Sequence, residues 1–165
     1  MPTYSEVIRD KEILKLLEGK HSSVLLLGCS SCMNESIAYK NDLPVFAKDD
    51  AGDIVAYSML SELKRLTCFL NKSGFNARYQ FLPEGSNSGC MLNYGETLYE
   101  ISLIPRPDIL LVLGCPSYVH GIEAVSNEIP VLSITKQLGY LAYGYEVDED
   151  GTRRIIKERS KVIRY

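Results

Sequence analysis

The sequence predicts an α/β protein with a doubly wound, mostly parallel sheet of about four strands and a C-terminal hairpin or edge extension. Two observations carry this. The short apolar runs SVLLLG (23–28) and DILLVLG (108–114) each stop at a glycine followed directly by a cysteine, and runs this short and uniformly apolar read as strands buried on both faces. Helical and extended segments alternate around them, the pattern of strand–helix–strand units in a parallel sheet.

Taken in order, Ser5 to Lys20 carries Ile13, Leu14 and Leu17 on one side and Lys11, Glu12, Lys15 and Glu18 on the other, with Gly19 as a stop. This predicts a short amphipathic helix. The first strand follows and ends at Gly28. Met33 to Gly52 contains Asn41, Asp42, Pro44, Asp49, Asp50 and Gly52 without a sustained apolar period, and reads as an extended loop over the strand edge. From Asp53 to Asn71, Val55, Met59, Leu63, Leu66 and Leu70 recur at helical spacing, with Cys68 on the polar side.

The second strand is FNARYQFL (75–82), closed by Pro83, and a turn-rich loop EGSNSGC (84–90) leads out of it. Tyr94, Leu98 and Ile101 suit a helix that Pro105 and Pro107 terminate. DILLVLGC is the third strand. Pro116 fits the first turn of a following helix, with Tyr118, Ile122 and Val125 facing inward. IPVLSI (129–134) is the fourth strand, and the Asp148–Gly151 turn between two extended runs predicts the terminal hairpin.

A length of 165 residues is that of one domain spanning 1–165, able to bury about 70% of its extended-chain surface without a covalent staple. A pI near 5.5 and net charge of −3 argue against a nucleic-acid partner. No apolar run reaches the roughly 20 residues of a membrane span, and the first residues lack a targeting pattern, so a cytoplasmic protein is expected. The basic run Arg153, Arg154, Lys157, Arg159, Lys161 and Arg164 reads first as a solvated strand and second as a docking site for an acidic partner.

Five cysteines, three of them ending strand-to-loop junctions, suggest metal or redox chemistry before a disulfide framework in a reducing compartment. In an open parallel sheet ligands sit beyond the carboxyl ends of the strands. Cys29, Cys32, Cys90 and Cys115 would converge there, and four thiolates complete a tetrahedral zinc site or hold an iron–sulfur cluster. Cys115, beside the start of the Pro116 helix, has unpaired N–H groups near it that favour thiolate. The alternatives stay open: Cys90 and Cys115 as small buried hydrophobes, or Cys29 and Cys32 as a thiol–disulfide pair. The latter is disfavoured here because such a pair belongs at a helix start, whereas SSCMNES reads into a loop.

There is no phosphate-loop or dinucleotide fingerprint. The EGSNSG loop offers backbone donors to an anion, so Ser86 and Asn87, with His120, are the candidate cofactor-binding residues. A plain turn and a hydrogen-bonded helix residue are the competing readings. His120, five residues beyond Cys115, has a helical offset that argues against a Cys–His dyad.

GCSSC after VLLL, a cysteine after the second strand, DILLVLGC, and IPVLSITKQLGYLAYGYE near the end together resemble the C-terminal domain of some methylenetetrahydrofolate reductases. In acetogenic bacteria a similar domain is a separate small metal-containing subunit. The resemblance covers roughly Ser23 to Tyr145. It implies an α/β metal-binding module, zinc or iron–sulfur, ligated by Cys29, Cys32, Cys90 and Cys115 and accompanying a larger flavin- or folate-dependent redox subunit. The catalytic barrel lies outside it, which implies a non-catalytic or partner-dependent subunit of an oxidoreductase. GCSSCMNE also resembles the GCxxCxxE motif of hydrogenase small subunits, where cysteines hold an iron–sulfur cluster for electron transfer; Glu35 and LGCPSYVHG fit that pattern. Both resemblances imply a metallocentre in a redox complex. Homo-oligomerisation is left open by the sequence.

Overall fold

The computed structural model describes residues 1–19, 22–81, 99 and 101–165. The chain is a mixed α/β protein with one parallel and one antiparallel sheet. In order it forms β1 (Thr3–Val7), α1 (Asp10–Leu17), β2 (Ser23–Gly28), α2 (Cys32–Asn41), β3 (Phe46–Lys48), β4 (Ile54–Ala56), α3 (Tyr57–Lys72) and β5 (Asn76–Gln80). It continues with β6 (Ile109–Leu113), α4 (Pro116–Val125), β7 (Val131–Ser133), β8 (Thr135–Val147) and β9 (Arg153–Arg164). The four-stranded parallel sheet has the order β5-β2-β6-β7, and the five-stranded sheet the order β1-β8-β9-β3-β4.

The parallel sheet is the one the apolar runs predict. Val24 to Leu27 and Ile109 to Leu113 are buried at every position regardless of parity, as strands covered on both faces must be. Ile13 and Leu17 of α1, Met59, Leu63, Leu66 and Leu70 of α3, and Tyr118, Ile122 and Val125 of α4 close one continuous core with them. Each leucine so buried contributes about 2 kcal/mol. Pro116 occupies the first turn of α4 as expected.

The structure corrects three expectations. Ser5 to Lys20 is not helical throughout, because Thr3–Val7 is a strand paired with β8 and only Asp10–Leu17 is helix. The proposed helix from Asp53 starts at Tyr57, after the short strand β4. Met33 to Gly52 is not an extended loop: α2 begins at Cys32 and β3 follows it. Buried polar residues hide the apolar period of α2. Asn34, fully buried, donates from Nδ2 to the Val45 carbonyl and accepts at Oδ1 from the Met59 N–H, both at 2.8 Å. Ser36 donates to the carbonyls of Cys32 and Thr3 and accepts from the Ser5 N–H. Two side chains that look solvent-facing thus anchor the helix inside the fold.

The C-terminal hairpin forms with the expected turn but is more than an edge extension. β8 and β9 are the centre of the antiparallel sheet, flanked by β1 on one side and β3 and β4 on the other. The expected helix around Tyr94 to Ile101 falls largely outside the described residues.

Candidate cysteine site

Parallel pairing sets the site. β2 and β6 run in register from Val24 opposite Ile109 to Gly28 opposite Leu113, and the Cys29 N–H extends the ladder to the Leu113 carbonyl at 2.9 Å. Cys29 and Cys115 therefore leave adjacent strands at the same carboxyl edge. Each meets the start of a helix. Cys115 is the N-cap residue of α4 and its carbonyl accepts the Val119 N–H; Cys29, Ser30 and Ser31 lead into α2, whose first residue is Cys32.

Two glycines let the helices come this close. A methyl group on Gly28 would stand 2.1 Å from Met59 Sδ, and one on Gly114 would stand 2.4 Å from the Tyr118 ring. A side chain at either position would force Met59 of α3 or Tyr118 of α4 to shift. The Thr135 hydroxyl donates to the Gly114 carbonyl at 2.6 Å and fixes the end of β6 from the other side.

Cys29 is 1% exposed. Burial pushes its thiol up to about 12, and the neighbouring Cys32 and Cys115 add to this, while the N–H groups of Ser31 and Met33 directed at its sulfur oppose it. Cys32 is half-buried and Cys115 buried. Tyr118, wholly buried, has its hydroxyl raised well above the ordinary tyrosine value by burial, with Cys29 adding to it. Cys29 thus lies in a dry interior, with Cys32 and Cys115 near enough to act on it electrostatically. Among the described residues all cysteines are free thiols.

Beside Cys32 stands a pair that sequence reasoning did not single out. The Tyr143 hydroxyl of β8 donates to Glu35 Oε1. Burial first and Glu35 second raise Tyr143 above its ordinary value, so it stays the donor; Cys32 acts in the same sense and Arg153 against it. Arg153 lies over the rings of Phe46 and Tyr145, at 5.4 and 4.7 Å from their centroids. Glu35 is the acidic residue of the GCxxCxxE pattern, but nothing in the alternating run GYLAYGYE marks Tyr143 as its partner.

Of the remaining candidates, His120 and Cys68 are described and stand apart from this edge. His120 is exposed on α4, with Nδ1 2.9 Å from Glu123 Oε2. Cys68 is exposed on α3. Ser86, Asn87 and Cys90 lie outside the described residues.

Three cysteines at one sheet edge, with amide N–H groups aimed at the sulfur of Cys29, are donor types that a thiophilic metal takes. Among the described residues no three of His, Cys, Asp or Glu stand at metal-holding separation. No protein-family model, curated protein or solved structure matches the chain. Among the described residues no helix is long and apolar enough to cross a membrane.

Proposed function

We propose that the chain is a metal–thiolate module, binding zinc or an iron–sulfur cluster, that serves as a subunit of a redox complex in one-carbon metabolism. The observation that carries this reading is the meeting of Cys29, Cys32 and Cys115 at the carboxyl edge of two adjacent parallel strands. The strand order supports a doubly wound, Rossmann- or flavodoxin-like core: β2 lies between β5 and β6, so the chain reverses direction across the sheet at the cysteines, where such sheets place their ligands. Cys90, which follows β5 in sequence, is the proposed fourth ligand. Its strand neighbours β2 on the side away from β6.

In this reading Cys29 is the interior ligand, shielded from water, and the Ser31 and Met33 N–H groups stabilise its thiolate. Cys115 and Cys32 stand at the starts of α4 and α2. Binding displaces thiol protons, so metal uptake releases acid. A bound cluster supplies one-electron transfer and a bound zinc supplies thiolate or Lewis-acid chemistry. The one-carbon assignment and the larger flavin- or folate-dependent partner rest on the resemblance of the cysteine motifs alone.

A second reading is favoured by one observation: Cys32 opens α2. That is the helix start a thiol–disulfide pair requires. Cys32 thiolate would attack a partner disulfide, releasing one partner thiol and forming a mixed disulfide. Cys29 would then attack Cys32 sulfur, releasing the second thiol and leaving a Cys29–Cys32 disulfide, two electrons having passed to the partner.

The two readings separate in one experiment, metal and acid-labile sulfide analysis of protein purified without oxygen, with Cys29→Ser and Cys115→Ser beside it. Stoichiometric metal that both variants lose supports the metal–thiolate module. Metal retained by both sinks the ligand assignment. Absence of metal together with a reversible two-electron Cys29/Cys32 couple makes the dithiol reading the function.

A further inference from the structure

The ladder between β8 and β9 breaks opposite Tyr143. Ala142 pairs with Lys161 and Gly144 with Ile156, so Tyr143 alone faces Lys157 to Ser160. An ordinary bulge sets two residues against one; here four residues of β9 stand against one of β8. The Ser160 hydroxyl donates to the Ile156 carbonyl at 2.6 Å and closes the excursion. Arg159 is laid along the strand at Gly144, where a methyl group would stand 3.2 Å from Arg159 Cβ and 3.5 Å from Nε. The result is a recess of about 370 Å³ lined by Ala142, Tyr143, Glu158, Arg159, Ser160 and Lys161.

The charges of this recess are not neutralised internally. Other cations of β9 are engaged: Arg153 on two aromatic rings, Arg154 at 3.9 Å from Asp148, Lys157 at 3.6 Å from Asp42. Among the described residues neither Arg159 nor Lys161 forms an ion pair, and Glu158 pairs with neither of them. Both cations are exposed.

We propose that this recess binds a phosphate group carried by a small molecule, with Arg159 and Lys161 as its cationic contacts. The planar guanidinium fork and the ammonium point charge together match a tetrahedral dianion. The volume is in the range of small-molecule sites, about 300–1,000 Å³. Glu158 at the rim disfavours any anion that does not engage both cations. The recess shares Tyr143 with the Glu35 contact beside Cys32, but its cationic contacts, Arg159 and Lys161, lie on β9 and not at the cysteine edge.

The test is titration of the ¹⁵N-labelled full chain with inorganic phosphate and then pyrophosphate, in chloride buffer at constant ionic strength. Saturable amide shifts are expected at Tyr143, Gly144 and 158–161. Arg159→Ala and Lys161→Ala should each weaken binding about tenfold, Glu158→Gln should tighten it, and Arg164→Ala, an equal loss of charge outside the recess, should leave it unchanged. No saturable response, or equal weakening by Arg164→Ala, overturns the proposal. Cys29→Ser should bind phosphate as the parent does whatever its metal content, so failure here and failure of the metal reading are told apart.

Discussion

The Tyr143 hydroxyl donates to Glu35 Oε1 across the gap between the antiparallel sheet and α2, one helical turn beyond Cys32. This bond ties the hairpin of the second sheet to the helix that presents a cysteine to the first. Glu35 has no ion pair among the described residues, so Tyr143 is what satisfies its half-buried carboxylate.

Tyr143→Phe keeps the ring and removes the donor. It should cost about 1.5–3 kcal/mol in urea unfolding, as expected for a lost hydrogen bond to a charged group. In a double-mutant cycle with Glu35→Gln the two losses should be less than additive. Strict additivity would show that the bond contributes nothing.

Gly28→Ala places a methyl 2.1 Å from Met59 Sδ, and overpacking of this kind costs about 1–3 kcal/mol. Met59→Ala in the same chain should recover part of the loss, although Met59→Ala alone destabilises. Thermal unfolding of the three variants reads this directly. If the second substitution adds to the first, the contact is not what excludes a side chain at position 28.

Thiol accessibility orders the cysteines. With metal removed, iodoacetamide should modify Cys68 first, Cys32 more slowly and Cys29 last, because Cys68 is exposed, Cys32 half-buried and Cys29 1% exposed with its thiol pushed up to about 12. Peptide mass spectrometry against time reports each site. Rapid labelling of Cys29 in folded protein would contradict its place under α3 and α4.

At the start of α1, Glu12 accepts from the Arg9 side chain at 3.1 Å and from the Arg9 N–H at 2.9 Å, which hold its carboxyl down at about 2. A carboxyl depressed in the fold contributes stability above its unfolded value of 4.5, and that contribution is lost as pH falls through about 2. NMR titration of Glu12 should give this low midpoint, and Arg9→Ala should return it towards the ordinary carboxylate range. An unchanged midpoint in Arg9→Ala would assign the depression to the helix start instead.

Much of the parallel half was legible in the chain itself. Val24 to Leu27 and Ile109 to Leu113 are continuous apolar runs because both of their faces are covered, and a run of that kind needs no partner to be recognised as a buried strand. The placement of Cys29 and Cys115 at one edge follows from parallel pairing of those runs. The start of α4 at Pro116 was likewise readable, from proline chemistry; the helical period put Cys68 on the polar side of α3, and its exposure was settled by the fold.

The antiparallel half was decided by tertiary structure. β1, β3 and β4 are three to five residues long and partly polar, so they carry too little pattern to announce themselves until β8 and β9 give them a ladder. α2 was hidden because Asn34 and Ser36 spend their polarity inside the fold, which erases the apolar stripe a helix shows when only apolar residues are buried. Sequence alone thus determined which strands are buried and which cysteines end them. That Cys32 opens a helix, that Tyr143 reaches Glu35, and that β9 sets four residues against Tyr143 with Arg159 beside Gly144 required the folded chain, because each is a meeting of residues distant in sequence whose local patterns hold no trace of the partner.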